Sequence, residues 1–147
     1  MQGVLGIDRK APVVIVLPGP PRGKGRPRFA MRGGRPSTYT DEATRSYEGA
    51  LRLAGSQAMA GAAPIEGALR VIVCATFPVP ASWSRAKREQ ALAGAVRPTG
   101  KPDADNLLKV MDALNEVVFR DDAQVVEAVV AKVYGRVPSL RIEVVAA

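Results

Sequence analysis

The sequence predicts an α+β fold: a mixed β-sheet with helices packed on it, in the order β-α-β-α-α-β-β. Three observations carry this. Runs rich in β-branched residues at 13–17, 68–77, 123–134 and 140–145 have the length and composition of strands. Between them lie segments that read as helices, the first two followed by Gly61 and Gly94. The chain has 147 residues and is 47% apolar, enough for one core, and no repeat or linker divides it, so residues 1–147 read as a single domain.

Residues 1–11 form a loose lead-in. Val13–Leu17 is a strand that stops at Pro18-Gly19-Pro20-Pro21. The basic loop, residues 19–38, follows; between Arg22 and Arg35 it holds six basic residues and no acid. Without a core-facing period, it reads as a long cationic loop or hairpin. Thr40 is placed as an N-cap, with Asp41 and Glu42 in the first helical turn, and the helix ends near Gly61. Ala68–Phe77 is the strongest strand and is expected to be central, with Cys74 as a packed, inert thiol. Ser84–Ala93 reads as a short helix carrying Arg85, Lys87 and Arg88. A third helix is expected over Ala104–Val118, and the last two strands are expected to pair as a hairpin across Gly135–Ser139.

Composition excludes several chemistries. A single Cys74 rules out an internal disulfide and multi-cysteine zinc sites, and the absence of histidine rules out a Ser-His-Asp triad and two-His zinc motifs. The net charge of +7 is uneven: residues 1–60 hold ten bases and four acids, residues 61–147 eleven and ten. A basic front half suits a polyanionic partner. The apolar runs are too short to span a bilayer and Met1–Lys10 lacks a secretory pattern, so a soluble, cytoplasmic protein is expected.

The acids concentrate between Lys101 and Gln124. Asp103 and Asp105 flank the start of the third helix, where i and i+2 carboxylates in an extended segment point to one side. One aspartate there needs no explanation beyond capping, but Asp103, Asp105 and Asn106 together exceed what a cap uses. Asp105 and Lys109 are spaced for a helix ion pair worth only ~0.3–0.5 kcal/mol. Asp121-Asp122 suits a turn. If the chain returns past the helix mouth, Asp122 joins Asp103 and Asp105. Clustered carboxylates without histidine favour Mg²⁺ or Mn²⁺, and a metal beside a cationic loop points to metal-assisted phosphodiester hydrolysis. Phe29, within the arm, reads as a packing residue before a base-stacking one; Trp83 and Tyr134 read as core or interface residues.

The run Lys101-Pro102-Asp103-Ala104-Asp105-Asn106-Leu107-Leu108-Lys109, with Asp112-Ala113-Leu114-Asn115, Asp121-Asp122-Ala123-Gln124-Val125 and Lys132, resembles the RusA family of small Holliday-junction resolvases. Gly19-Pro20-Pro21 and Lys24-Gly25-Arg26-Pro27-Arg28-Phe29 resemble that family's N-terminal segment, and the resemblance extends over residues 13–145. It implies a homodimeric, Mg²⁺-dependent endonuclease of DNA recombination and repair, often carried by phages and prophages. Such an enzyme nicks four-way junctions symmetrically, leaving 5′-phosphates and 3′-hydroxyls. Mn²⁺ is a possible substitute, and no membrane or small-molecule cofactor is implied. By matching positions, Asp103, Asp105 and Asp122 would be the catalytic metal-binding carboxylates and Lys109 the catalytic lysine, with Asp121 the less critical neighbour. Arg22, Lys24, Arg26, Arg28, Arg32, Arg35 and Lys101 would contact DNA. Two alternatives stay open: a non-catalytic DNA-binding module, and a metal-dependent nuclease for other branched DNA.

Overall fold

In the computed structural model, the described residues are 11–24, 28–39 and 41–147. The expected lead-in through Lys10, the N-cap at Thr40 and the DNA contact Arg26 lie outside them. The fold is mixed α+β. Strand β1 (Val13–Pro18) alternates buried and exposed residues, as a half-covered strand must. Strands β2 (Arg28–Arg32) and β3 (Arg35–Tyr39) form a separate hairpin, so the basic stretch takes the hairpin form. Its two-residue turn is Gly33-Gly34, both at positive φ (58° and 74°), the backbone that tight hairpins require and glycine supplies.

Helix α1 (Glu42–Met59) is capped by Asp41, whose carboxylate accepts from the Thr44 N–H at 2.7 Å. Asp41 thus takes the capping role expected of Thr40, and Glu42 supplies the first-turn acid. Strand β4 (Leu69–Pro78) is central as expected, paired parallel with β5 (Val125–Gly135) and antiparallel with β6 (Ser139–Ala146). The sheet order is β1-β6-β4-β5. The expected β5–β6 hairpin is therefore corrected: the chain leaves β5 at Gly135, crosses the end of β4 and returns on its other side. Gly135 permits this crossing, because a Cβ there would lie 2.5 Å from Thr76 Cγ2.

Helix α2 (Arg85–Leu92) starts at Ser84 as expected, with Ser84 Oγ accepting from the Lys87 N–H. The expected helix over Ala104–Val118 is shorter. Helix α3 spans Ala104–Lys109, tightens into a 3₁₀ turn at Val110–Leu114, and the chain then reverses at Glu116, whose φ is +65°. Of the stripe expected to be buried (Leu107, Leu108, Met111, Leu114 and Val118), all but Leu108 join Ile15, Leu51, Val71, Val73, Phe119, Leu140 and Ile142 in one core, and Leu108 packs half-buried against it. Helix α1 packs on β1 and on the 3₁₀ turn, while α2 and α3 pack on β5. Among the described residues no helix covers the other sheet face, where Val14, Val16 and Val129 are exposed. Cys74, on that face, is half-buried. No described helix is long and apolar enough to cross a membrane.

Candidate acidic site and nucleic-acid interface

The short α3 and the turn behind it give the acids their placement. Asp103 is the residue before α3, extended at φ −66° and ψ 155°, and makes no side-chain capping bond. Asp105 lies one helical turn before Lys109 and pairs with it at 3.2 Å, both more than half exposed. After the reversal at Glu116 the chain returns through Phe119 to Asp122. Asn115 then fastens Asp122 at two points. Its Oδ1 accepts from the Asp122 N–H at 2.8 Å, and its Nδ2 donates to Asp122 Oδ1 at 3.5 Å. Arg52 on α1 steadies the turn by donating to the carbonyls of Ala113 and Asn115.

As a result Asp105, Lys109 and Asp122 line one cavity of about 460 Å³, with Leu108, Met111 and the β5 residues Val125–Ala128 completing its walls. Asp103 is not among the lining residues. Among the described residues no three acids converge as a ready-made metal-ligand set. Asp105, Asp122 and Glu127 all line the cavity; Glu127 is paired with Arg70 at 3.3 Å, and the other two carboxylates are a donor set suited to Mg²⁺, which retains several waters and takes one or two protein carboxylates beside a phosphate.

The electrostatics fit that reading. A hydrogen bond shared with Asp121 holds the Asp122 carboxyl above the ordinary aspartate range. Desolvation adds to the shift, Asn115 partly offsets it, and the charges of Asp121 and Asp112 add a little more. Asp121 shifts the opposite way, chiefly because its carboxylate accepts from the Ala123 N–H. Asp121 caps the short 3₁₀ turn Asp122–Gln124, with Gln124 Oε1 accepting from the Asp121 N–H. The Gln124 amide also donates to the carbonyls of Ile65 and Gly67, anchoring this corner. Asp121 thus shapes the backbone, and Asp122 presents its carboxylate to the cavity. A cation there would favour the ionised carboxylate and so oppose that upward shift.

The basic segment is joined directly to this site. Gly23 passes so close to α3 that a Cβ would lie 2.8 Å from Pro102 Cβ and 2.9 Å from Asn106 Cβ, and the Lys24 N–H donates to the Asn106 carbonyl. Arg22, Arg32, Arg35 and Lys101 are exposed; of Arg28 only the backbone in β2 is described. Lys24 departs from expectation. Its ammonium bridges Glu48 at 2.9 Å and Asp112 at 2.8 Å, so it ties the arm to α1 and the 3₁₀ turn and is not a free phosphate contact. Phe29 departs too: it is 80% exposed, with Met31 beside it at 69%, so it is not a packing residue. Trp83 and Tyr134 stack edge-on at 5.3 Å.

The Lys24 bridge carries a pH prediction. Desolvation lowers the lysine's pKa, but the hydrogen bonds to Asp112 and Glu48 outweigh it, and the net value is above the ordinary 10.5. A raised base adds stability that is complete below the unfolded value and lost as pH rises through the folded one. Lys24→Ala is expected to lower stability by about 1 kcal/mol at neutral pH. Denaturant melts of the two proteins should converge above pH 10.5. A gap that stays constant across that window would refute the bridge.

The chain is similar to known proteins over most of its length. The chain is 37% identical over 129 residues to a protein of Bacillus subtilis (strain 168) named "Uncharacterized protein YqaN", covering 86% of this chain and 89% of that one. The sequence profile described as Endodeoxyribonuclease RusA matches residues 18–145, a span that includes the arm's base, the α3 acids and the Asp121-Asp122 corner. The chain belongs to the RusA endodeoxyribonuclease family.

Proposed function

We propose that this protein is a Mg²⁺-dependent endonuclease that resolves four-way DNA junctions by paired, symmetrical nicks. The observation that carries the proposal is one cavity walled by Asp105, Lys109 and Asp122, beside an arm seated on the same helix. Asp105 and Asp122 would hold the metal, with Asp103 contributing from the mouth of α3. The bound ion would supply Lewis acidity at the scissile phosphate and lower the pKa of a water.

The chain's own residues do the rest. Asn115 fixes the orientation of Asp122, and Arg52 fixes the turn that bears Asn115. Lys109, more than half exposed, can exchange Asp105 for a phosphate oxygen and stabilise the charge that builds there. Leu108, Met111, Val125 and Val126 keep part of the cavity wall apolar, which strengthens those charges' effects on the substrate. Arg22, Arg32 and Arg35 would grip phosphates, and exposed Phe29 is available to stack on an unpaired base.

Paired nicks on a two-fold junction require two matched sites, so the reading includes a homodimer. The uncovered sheet face is the surface we assign to a second copy. It combines exposed valines with two Arg–Glu pairs, Arg70–Glu127 and Arg141–Glu143, and so is neutral on a chain of charge +7.

A nicking assay on four-way, three-way and linear DNA, with and without Mg²⁺, tests the activity, and sedimentation tests the dimer. Expected are Mg²⁺-dependent nicks at symmetrical positions, confined to four-way junctions, from a two-chain particle. Binding without cleavage in Mg²⁺ or Mn²⁺ would make the protein a DNA-binding module. Equal cleavage of three-way or linear DNA would remove the junction preference.

A further inference from the structure

A second cationic surface lies outside both the cavity and the N-terminal arm. Helix α2 is exposed along most of its length, with only Ala91 buried. Arg85 is 93% exposed, and Lys87 and Arg88 are exposed beside it. These bases stand in the first half of the helix, whose first turn has no acid, so they oppose the helix dipole. Between Ser84 and Lys101 there are five bases (Arg85, Lys87, Arg88, Arg97, Lys101) and one acid, Glu89, which pairs with Arg85 at 3.2 Å.

Strand β5 aligns this surface with the cavity. The Lys87 ammonium sits 3.9 Å from the Trp83 ring centroid, and Trp83 stacks on Tyr134 near the end of β5. The chain after α2 then lies along β5: Arg97 Nε donates to the Lys132 carbonyl, and Lys132 Nζ donates to the Gly100 carbonyl. Exposed Lys101 follows, then α3, with the cavity at Val125–Ala128 near the other end of the strand. From Tyr134 to Val126 is eight residues, about 26 Å at ~3.3 Å each. That is about eight base pairs of duplex at ~3.4 Å each.

We propose that one duplex arm of the DNA leaves the cavity along β5, its phosphates meeting Lys101, then Arg97, then the α2 bases with Arg88 foremost. The inference rests on the nucleic-acid reading above and adds the path of the arm. A duplex is favoured over other polyanions because the strip runs on from the cavity and has a length set by the strand.

The test is metal-free binding in EDTA of four-way junctions with hairpin-capped arms of about 5, 10 and 15 base pairs, lengths that bracket the eight-base-pair estimate. Wild-type protein and Arg85→Ala/Arg88→Ala are compared over a salt series. Wild-type affinity is expected to rise between the two shorter lengths and then level. The double variant should lose about tenfold on the longer arms and little on the shortest. Its log–log salt slope should be shallower by about 0.9 per lost phosphate contact. Single-turnover cleavage of saturated complex in Mg²⁺ should stay within twofold of wild type, which also reports that the variant is folded.

Unchanged affinity and slope would overturn the proposed path and leave the nuclease reading standing. An equal loss at every arm length would also overturn it, because contacts near the crossover do not depend on arm length. Wild-type protein that binds no junction would defeat the parent reading and this one with it.

Discussion

Asp122→Asn is expected to slow junction cleavage by about a thousandfold or more, about 4 kcal/mol at ~1.36 kcal/mol per decade. The substitution keeps the side chain's shape, and the backbone N–H that donates to Asn115 Oδ1 is untouched, so the 3₁₀ corner should survive. What disappears is a negative charge at the cavity wall, and with it the capacity to hold a divalent cation against a phosphate. Binding should persist or tighten, since one fewer anion faces the DNA. Asp105→Asn should behave alike, with the added effect of freeing Lys109 from its 3.2 Å partner.

Asp121→Asn is the informative control. Asp121 accepts from the Ala123 N–H and caps the turn, a role that asparagine fills about as well, so its replacement should leave stability little changed and cleavage within a few-fold. Single-turnover rates and junction affinities of the three variants decide the matter. If Asp121→Asn is the inactive one and Asp122→Asn cuts normally, the roles within the pair are reversed.

Much of this site is legible before any coordinates, because the acids are local to one stretch and their spacing is chemical. Asp121-X-X-Gln124 even carries a capping-box pattern that separates the structural aspartate from the cavity one. Other features are not local. The stripe Leu107, Leu108, Met111, Leu114, Val118 mixes spacings of four and three, so it suits a helix or a 3₁₀ turn, and only packing against α1 selects the tighter path. Asn115 becomes Asp122's holder because Glu116 turns at φ +65°, a conformation that no glycine announces. The split of β5 from β6 escapes for the same reason. A short Gly–Pro link ordinarily joins neighbouring antiparallel strands, and nothing in its residues says that β4 lies between them. Lys24 looks like one more base in a run, since its acidic partners lie 24 and 88 residues away.

The contact that keeps the cavity in place is the seat of the 3₁₀ turn on α1, and it carries the largest expected loss of stability. Gly55 is buried on α1, where a Cβ would lie 2.7 Å from Leu114 Cδ2 and 3.1 Å from Val118 Cγ2. Gly55→Ala gains helix propensity, up to about 1 kcal/mol, but overpacks this seat at about 1–3 kcal/mol, so a net loss is expected. Leu114 is fully buried, and Leu114→Ala should cost about 2–5 kcal/mol through lost burial and the cavity left behind. In the double variant the new methyl enters the space vacated by the leucine. The two effects should then fall short of their sum by about 1 kcal/mol or more, the sign expected when a clash and a cavity cancel. Because Leu114 directly precedes Asn115, Leu114→Ala should also loosen the hold on Asp122 and slow cleavage in still-folded protein, and the double variant should recover part of that rate. Strict additivity in chemical denaturation would mean that α1 and the turn do not meet as described, and the positioning of Asp122 would need another cause.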